Sequence, residues 1–293
     1  MLICRKLKIK AFGKLNLALD IVGRRDDGYH LLSTVMQSVS CYDLLEFELT
    51  DGDGVMLECD TAGFPPVNDN IITKAIAAFR DYTNIDYGCK IKVRVEKNLP
   101  SLAGMGGGSS DCAATLQALN FMLDTRLTDE QLCSIGIKLG ADVPFCIMGG
   151  TQLCQGVGEL MSRLPAPDCC FVIVKPDAGI STPEAFRKYD SIANPKRCHM
   201  DMLLRSLGCG NLYGMCANMF NVLEYAAECP EILEVEQELR SLGALSAMMT
   251  GSGSAVFGVF DSCGAAEKAM EKLDGWSYKC LCKPVKQGYE FDH

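Results

Sequence analysis

With 293 residues, 48% of them hydrophobic and 22% charged, the chain buries a substantial core and lies far from the composition of a disordered polypeptide. Its formal net charge of -9, from 28 Lys and Arg against 37 Asp and Glu, disfavours broad attachment to nucleic acid or to an anionic membrane. The opening MLICRKLKIK has no apolar export core, and no apolar run reaches the ~20 residues that span a bilayer, so a cytoplasmic protein is expected.

Alternation over Leu7 to Lys10 and Leu15 to Val22 predicts two strands interrupted at Ala11-Phe12-Gly13, with further strands over Asp43 to Leu49 and Val55 to Cys59. Asn70 to Tyr82 carries apolar residues at helical spacing, whereas Lys90 to Glu96 alternates strictly, as a half-buried strand does. Beyond a glycine-rich loop, Ser109 to Leu123 reads as a helix. Thr128 with Gln131 forms a capping-box signature for another helix to about Leu139, which Gly140 stops. The pattern resets near Gly149-Gly150, and a division into residues 1–155 and 156–293 is expected.

In the second half Phe171 to Val174 predicts a buried strand, and helical periodicity marks Pro183 to Tyr189, Met215 to Ala227 and Ile232 to Leu242. Strands over Ser246 to Thr250 and Ala255 to Phe260 flank a glycine-serine turn, before a helix over Cys263 to Leu273 and a last strand near Tyr278 to Cys282. This order suits an α+β domain with a mostly antiparallel sheet. The cysteines number 17, an odd count without a C-x-x-C pair, so reduced thiols are expected rather than a disulfide framework; Cys112, Cys146 and Cys170 stand in apolar surroundings. Cys198, His199, Cys209 and Cys216 have metal-ligand chemistry but lack the paired short turns of a zinc site, and no protein-bound metal is expected.

The most informative segment runs from Pro100 to Asp111, between the alternating strand and the apolar helix. Glycines permit positive φ and close approach, so consecutive N–H groups converge on phosphate oxygens while the next helix presents its positive end. Ser109 and Ser110 add hydroxyl donors or a metal contact there. Read as residues alone, a flexible turn capped by either serine competes with this reading. The segment is neither a Walker A loop, which needs Gly-Lys-Ser/Thr, nor a dinucleotide fingerprint.

Gly104-Met105-Gly106-Gly107-Gly108-Ser109-Ser110-Asp111, following Leu99-Pro100, resembles the second motif of the GHMP kinases. Ala11 to Leu17 is similar to their first motif, and Met249 to Gly258 to their third, in the family's order. The resemblance implies the two-domain α+β GHMP fold, with an N-terminal ATP-binding domain and a C-terminal α+β domain. It also implies ATP as cofactor, brought in with Mg²⁺ rather than beside a protein-built magnesium cage. ATP contacts are implied for Pro100, Ala103, Gly104, Met105, Gly106, Gly107, Gly108, Ser109 and Ser110, with Asn70 and Lys97 near the adenosine. Ser101 and Leu102 depart from the family pattern, which usually has glycine near Leu102, so the first turn of the loop is expected to differ.

Gly23 to His30, Leu32 to Gln37 and Gly140 to Phe145 are similar to the family members that phosphorylate a cytidine diphosphate-linked polyol. From spacing alone Asp142 equally caps a helix opening at Val143-Pro144, and Lys14 is a solvated strand lysine. The resemblance implies instead that Asp142 accepts the proton of the acceptor hydroxyl, with Lys14 beside it and the transferred phosphate. It puts Asn16 and Thr182 at the acceptor, Tyr29 and Phe186 against the cytosine ring, and His30 at the ring's polar edge. Partners are then small molecules, not nucleic acid or membrane, for a monomer or homodimer. Two alternatives stay open: another GHMP small-molecule kinase, and a catalytically silent nucleotide-binding protein of this fold.

Overall fold

The computed structural model describes residues 5–85 and 88–292. Two long antiparallel strands, β1 (Lys6–Arg24) and β2 (His30–Thr50), form its spine. The interruption expected at Ala11-Phe12-Gly13 is a register shift between Phe12 and Lys14 within one strand. Residues 11–21 of β1 are all buried, and a strand covered on both faces has no alternation to read.

β3 (Val55–Glu58), α1 (Ile71–Thr83) and β4 (Lys90–Glu96) stand where the periodicity puts them. α2 (Gly107–Met122) opens directly out of the glycine loop. α3 (Asp129–Gly136) begins with the expected capping box, in which Thr128 Oγ1 accepts from Gln131 N and Gln131 Oε1 accepts from Thr128 N. Next come α4 (Val143–Met148), β5 (Thr151–Gly156) and β6 (Leu160–Leu164). The last two pair with each other, and β5 pairs with β2. The division expected after residue 155 therefore falls inside a strand of the first sheet.

β7 (Cys170–Lys175), α5 (Thr182–Tyr189), α6 (Met200–Gly208), α7 (Leu212–Ala217) and β8 (Phe220–Asn221) follow. The helix predicted over Met215 to Ala227 is broken: Asn221 Oδ1 accepts from Leu223 N and starts a separate 3-10 turn, Val222–Ala226. α8 (Pro230–Ser241), β9 (Ser246–Met249), β10 (Val256–Phe260), α9 (Cys263–Lys272), β11 (Tyr278–Cys282) and β12 (Tyr289–Asp292) complete the chain.

The first sheet has eight strands, in the path β12-β1-β2-β4-β3 with β5, β6 and β8 beside it. The second is antiparallel throughout, in the order β11-β7-β10-β9. One core lies between the first sheet and α1 to α4, a second includes both β1 and β10 residues, and a third packs α8 and α9 on the second sheet. α2 runs through the first of these with every residue from Ser110 to Leu119 buried. Against the expectation of free thiols, Cys170 joins Cys263 in a disulfide across 93 residues, a pairing that no local spacing signals. Cys41, Cys112, Cys146, Cys154 and Cys216 are among the thiols that remain free.

Candidate active site

A cleft of about 1450 Å³ opens where the three glycine-bearing motifs meet. Its floor is the loop before α2. Gly104 has φ 72°, and a Cβ there would stand 2.0 Å from the Thr250 carbonyl oxygen, so only glycine lets this loop touch the turn after β9. Gly106 caps α2 in the left-handed conformation at φ 73° without a side-chain cap. The first amides of α2 thus lack intrahelical partners and converge at the positive end of the helix. Ser110 N donates to Gly106 O, and the Ser110 hydroxyl donates to Phe12 O at 2.7 Å, which turns it inward. Ser109 lines the cleft, with no hydroxyl partner among the described residues. Leu102 takes φ 51°, the conformation open to glycine without strain, while its carbonyl and that of Ala103 accept from Ser254 N and Ala255 N.

Directly against the loop stands Lys14, carried by β1 and 4% exposed, its backbone N donating to Met105 O at 2.9 Å. Its Nζ donates to Asn16 Oδ1 at 2.6 Å and lies 3.4 Å from Asp142 Oδ2. Asn16 is itself fixed: its Nδ2 donates to Thr34 Oγ1 at 2.9 Å and its backbone N to Thr250 Oγ1 at 3.0 Å. Asp142 occupies the N-cap position of α4, yet its side chain makes no capping hydrogen bond. The carboxylate is left to face Lys14 and the cleft.

Farther along the cleft, the rings of His30 and Phe186 stack at 4.9 Å, so Phe186 covers the imidazole face. His30 Nε2 lies 2.7 Å from Asp190 Oδ1, and Arg24 sits 3.4 Å from the same carboxylate. Tyr29 is 65% exposed at the rim, and Thr182 Oγ1 meets Ser252 Oγ at 2.9 Å. At the other end, Asn70 and Lys97 line the wall with Phe64 and Pro65. Asn70 caps α1 through Ile72 N and donates to Pro65 O, while Lys97 pairs with Asp43 and, at 2.7 Å, with Asp111. Burial drives Asp111 up to about 7 against the opposing pull of Lys97. Burial lowers Lys97, but the charges of Asp111 and Asp43 outweigh it and hold the ammonium above its ordinary range.

The structure thus gathers all the residues singled out in the sequence around one cleft or immediately under its floor. It adds several that sequence reasoning left without a role. Thr250 and Asp111 stand within quoted motifs, whereas Asp43, Asp190 and Asn221 carry no local signal. Asn221 Nδ2 donates to Met249 O and Gly251 O and so braces the third motif from a distant strand.

Residues 70–150 match the model of the GHMP kinases N terminal domain and residues 205–278 that of the GHMP kinases C terminal domain. A 4-diphosphocytidyl-2-C-methyl-D-erythritol kinase of Clostridium tetani is 41% identical over 270 residues, covering 91% of this chain and 95% of the relative. Its counterpart from Thermoanaerobacter sp. is 38% identical over 290 residues, covering 98% and 99%. Among solved structures, a 4-(cytidine 5'-diphospho)-2C-methyl-D-erythritol kinase superposes with TM-score 0.79 at 29% identity, over 95% of this chain and 99% of that one. A homoserine kinase from Cytophaga hutchinsonii reaches the same TM-score of 0.79 at 18% identity, over 99% and 98%, which shows the shared fold alone. With GHMP models matched in both halves and end-to-end relatives of one kind, the chain belongs to the 4-diphosphocytidyl-2-C-methyl-D-erythritol kinase family of GHMP kinases.

Proposed function

We propose that this enzyme transfers the γ-phosphoryl group of ATP to the 2-hydroxyl of 4-diphosphocytidyl-2-C-methyl-D-erythritol, giving the 2-phosphate and ADP in non-mevalonate isoprenoid precursor synthesis. The observation that carries the reading is the Lys14–Asp142 pair, 3.4 Å apart, with Lys14 packed beside Gly106 at the start of α2 and Asp142 free of capping duty. Phosphoryl transfer asks for an acceptor oxygen in line, stabilised phosphoryl charge and a proton acceptor. The α2 amides and Ser109 hold the phosphates, Lys14 offsets the developing charge, and Asp142 orients the hydroxyl and takes its proton.

Asn16 serves this chemistry through Lys14, whose position it fixes. The acceptor's cytidine lies at the end bearing Tyr29, His30, Thr182 and Phe186, and adenosine at the end bearing Asn70 and Lys97. Mg²⁺ would arrive with ATP, where it would neutralise phosphate charge, and Ser109 at the start of α2 is placed to meet it. Two lobes enclose the substrates, the first extended past residue 155 by β6 and joined by β12. No helix among the described residues is long and apolar enough to cross a membrane, and we place the enzyme in the cytoplasm as a monomer or homodimer.

The test is ADP release with the cytidyl acceptor, in parallel with homoserine and mevalonate. Asp142→Asn is expected to lower kcat by about 100-fold to 10,000-fold while both KM values hold. Unchanged turnover would remove Asp142 from the reaction, and preference for homoserine or mevalonate would replace the acceptor.

A further inference from the structure

The glycine loop hangs between two stems that are distant along the chain and adjacent in space. Its leading stem is Lys97-Asn98-Leu99, just after β4, and its trailing stem is the start of α2, which carries Asp111 just beyond its first turn. Asp43 of β2, with no exposed surface, takes the Lys97 ammonium and the backbone N–H groups of Asn98 and Leu99, at 2.6 and 2.8 Å, on one carboxylate. Lys97 then reaches across the loop to Asp111 at 2.7 Å. A Cβ on Gly107 would stand 3.5 Å from Lys97 Nζ and 3.6 Å from Asp43 Oδ2, so this charged knot lies directly behind the first amides of α2. Asp111 Oδ1 is buried without a hydrogen-bond partner.

We propose that Asp43 and Asp111 are positioning residues for the donor nucleotide, acting through Lys97. The Asp43–Lys97–Asp111 chain ties the two stems together and holds the loop in its phosphate-accepting shape before ATP arrives. Buried charges in a low dielectric resist separation, and leaving one of them unpaired is far more costly than breaking a surface pair. Two of the three ammonium donors are engaged in the tie, so Lys97 supports ATP mainly through the loop's shape. Asp43 stands behind the loop and Asp111 lines the cleft at its Lys97 end, away from Tyr29, His30 and Phe186, which gives the tie no direct part in acceptor binding.

This inference rests on the glycine loop being the ATP site, and the wild-type enzyme tests that first: absence of any ATP dependence overturns the functional reading itself. Asp43 holds three donors at once, so Asp111→Asn is the milder probe. With Mg²⁺, ATP and the cytidyl acceptor, Asp111→Asn is expected to raise the ATP KM on the order of tenfold and leave the acceptor KM within about twofold. Amides of residues 101–110 in the nucleotide-free enzyme are expected to exchange hydrogen for deuterium on the order of tenfold faster. Lys97→Arg, which keeps the charge, should retain most of the ATP affinity that Lys97→Met loses. A parallel rise in both KM values, or a lower melting temperature with loop exchange unchanged, refutes the tie. So does a Lys97→Met enzyme that loses ATP affinity while its loop amides exchange as in the wild type, because Lys97 would then be acting as a direct ligand.

Discussion

Lys14 shows how a cation is kept both buried and useful. An ammonium that is 4% exposed persists only with partners, and Asn16 Oδ1 and Asp142 Oδ2 supply them from different elements. Asn16 is locked by Thr34 and Thr250, so the charge is aimed before any substrate binds. Lys14→Met should therefore cut kcat on the order of 100-fold to 1000-fold with a near-native circular dichroism spectrum; a change confined to KM would assign the residue to binding. Leu102 makes the opposite trade. At φ 51° and 58% exposed, it holds a left-handed backbone against its own Cβ, a cost of about 1–2 kcal/mol per residue for L-amino acids. Leu102→Gly relieves that cost and gives part of it back as backbone freedom, so a net gain of about 0.5–1 kcal/mol and a higher melting temperature are expected. A fall in melting temperature would show that the leucine side chain stabilises more than its backbone loses.

The elements around the site were legible in proportion to how local their causes are. Lys90–Glu96 was readable to the residue because one face is buried and the other wet, and the Thr128–Gln131 capping box because four consecutive residues build it. Spacing alone left Lys14 and Asp142 without a shared role, and it was the resemblance of their motifs to the GHMP kinases that put them beside the glycine loop, where the cleft has them. The first half of β2, the β5–β6 pair, β8 and β12 were not legible: long buried strands lose their alternation, and short strands depend on partners far along the chain. Asp43 and Asn221 stayed silent for the same reason, since their partners lie 54 and 28 residues away. The loop and the third motif meet at Gly104, where any side chain would strike the Thr250 carbonyl. Gly104→Ala should therefore separate the two motifs, abolish measurable ATP binding and destabilise the fold by several times the ~1 kcal/mol of an ordinary substitution. Calorimetry with ATP checks the first effect and thermal melting the second; native ATP affinity would show that the contact is incidental.

At the scale of the whole molecule, the last described strand, β12, returns to pair with β1 in the first sheet. The second sheet is met at β9 by a half-buried carboxyl. Glu224 Oε2 accepts from Met249 N at 3.0 Å, just before the third motif, and Glu236 on α8 stands close by with its Arg240 partner. Burial, reinforced by the charge of Glu236, pushes Glu224 from 4.5 up to about 8. A carboxyl whose pKa is raised on folding keeps a proton that the unfolded chain releases. Its contribution to stability is therefore complete below 4.5 and declines as pH rises toward about 8. Glu224→Gln keeps an acceptor for Met249 N and removes the titration, so the variant should gain on the wild type as pH rises from about 5 to about 8.5. Thermal melts of both proteins across that range decide the point. A constant difference would mean that Glu224 is already ionised in the folded enzyme, with Arg240 rather than a bound proton balancing it against Glu236.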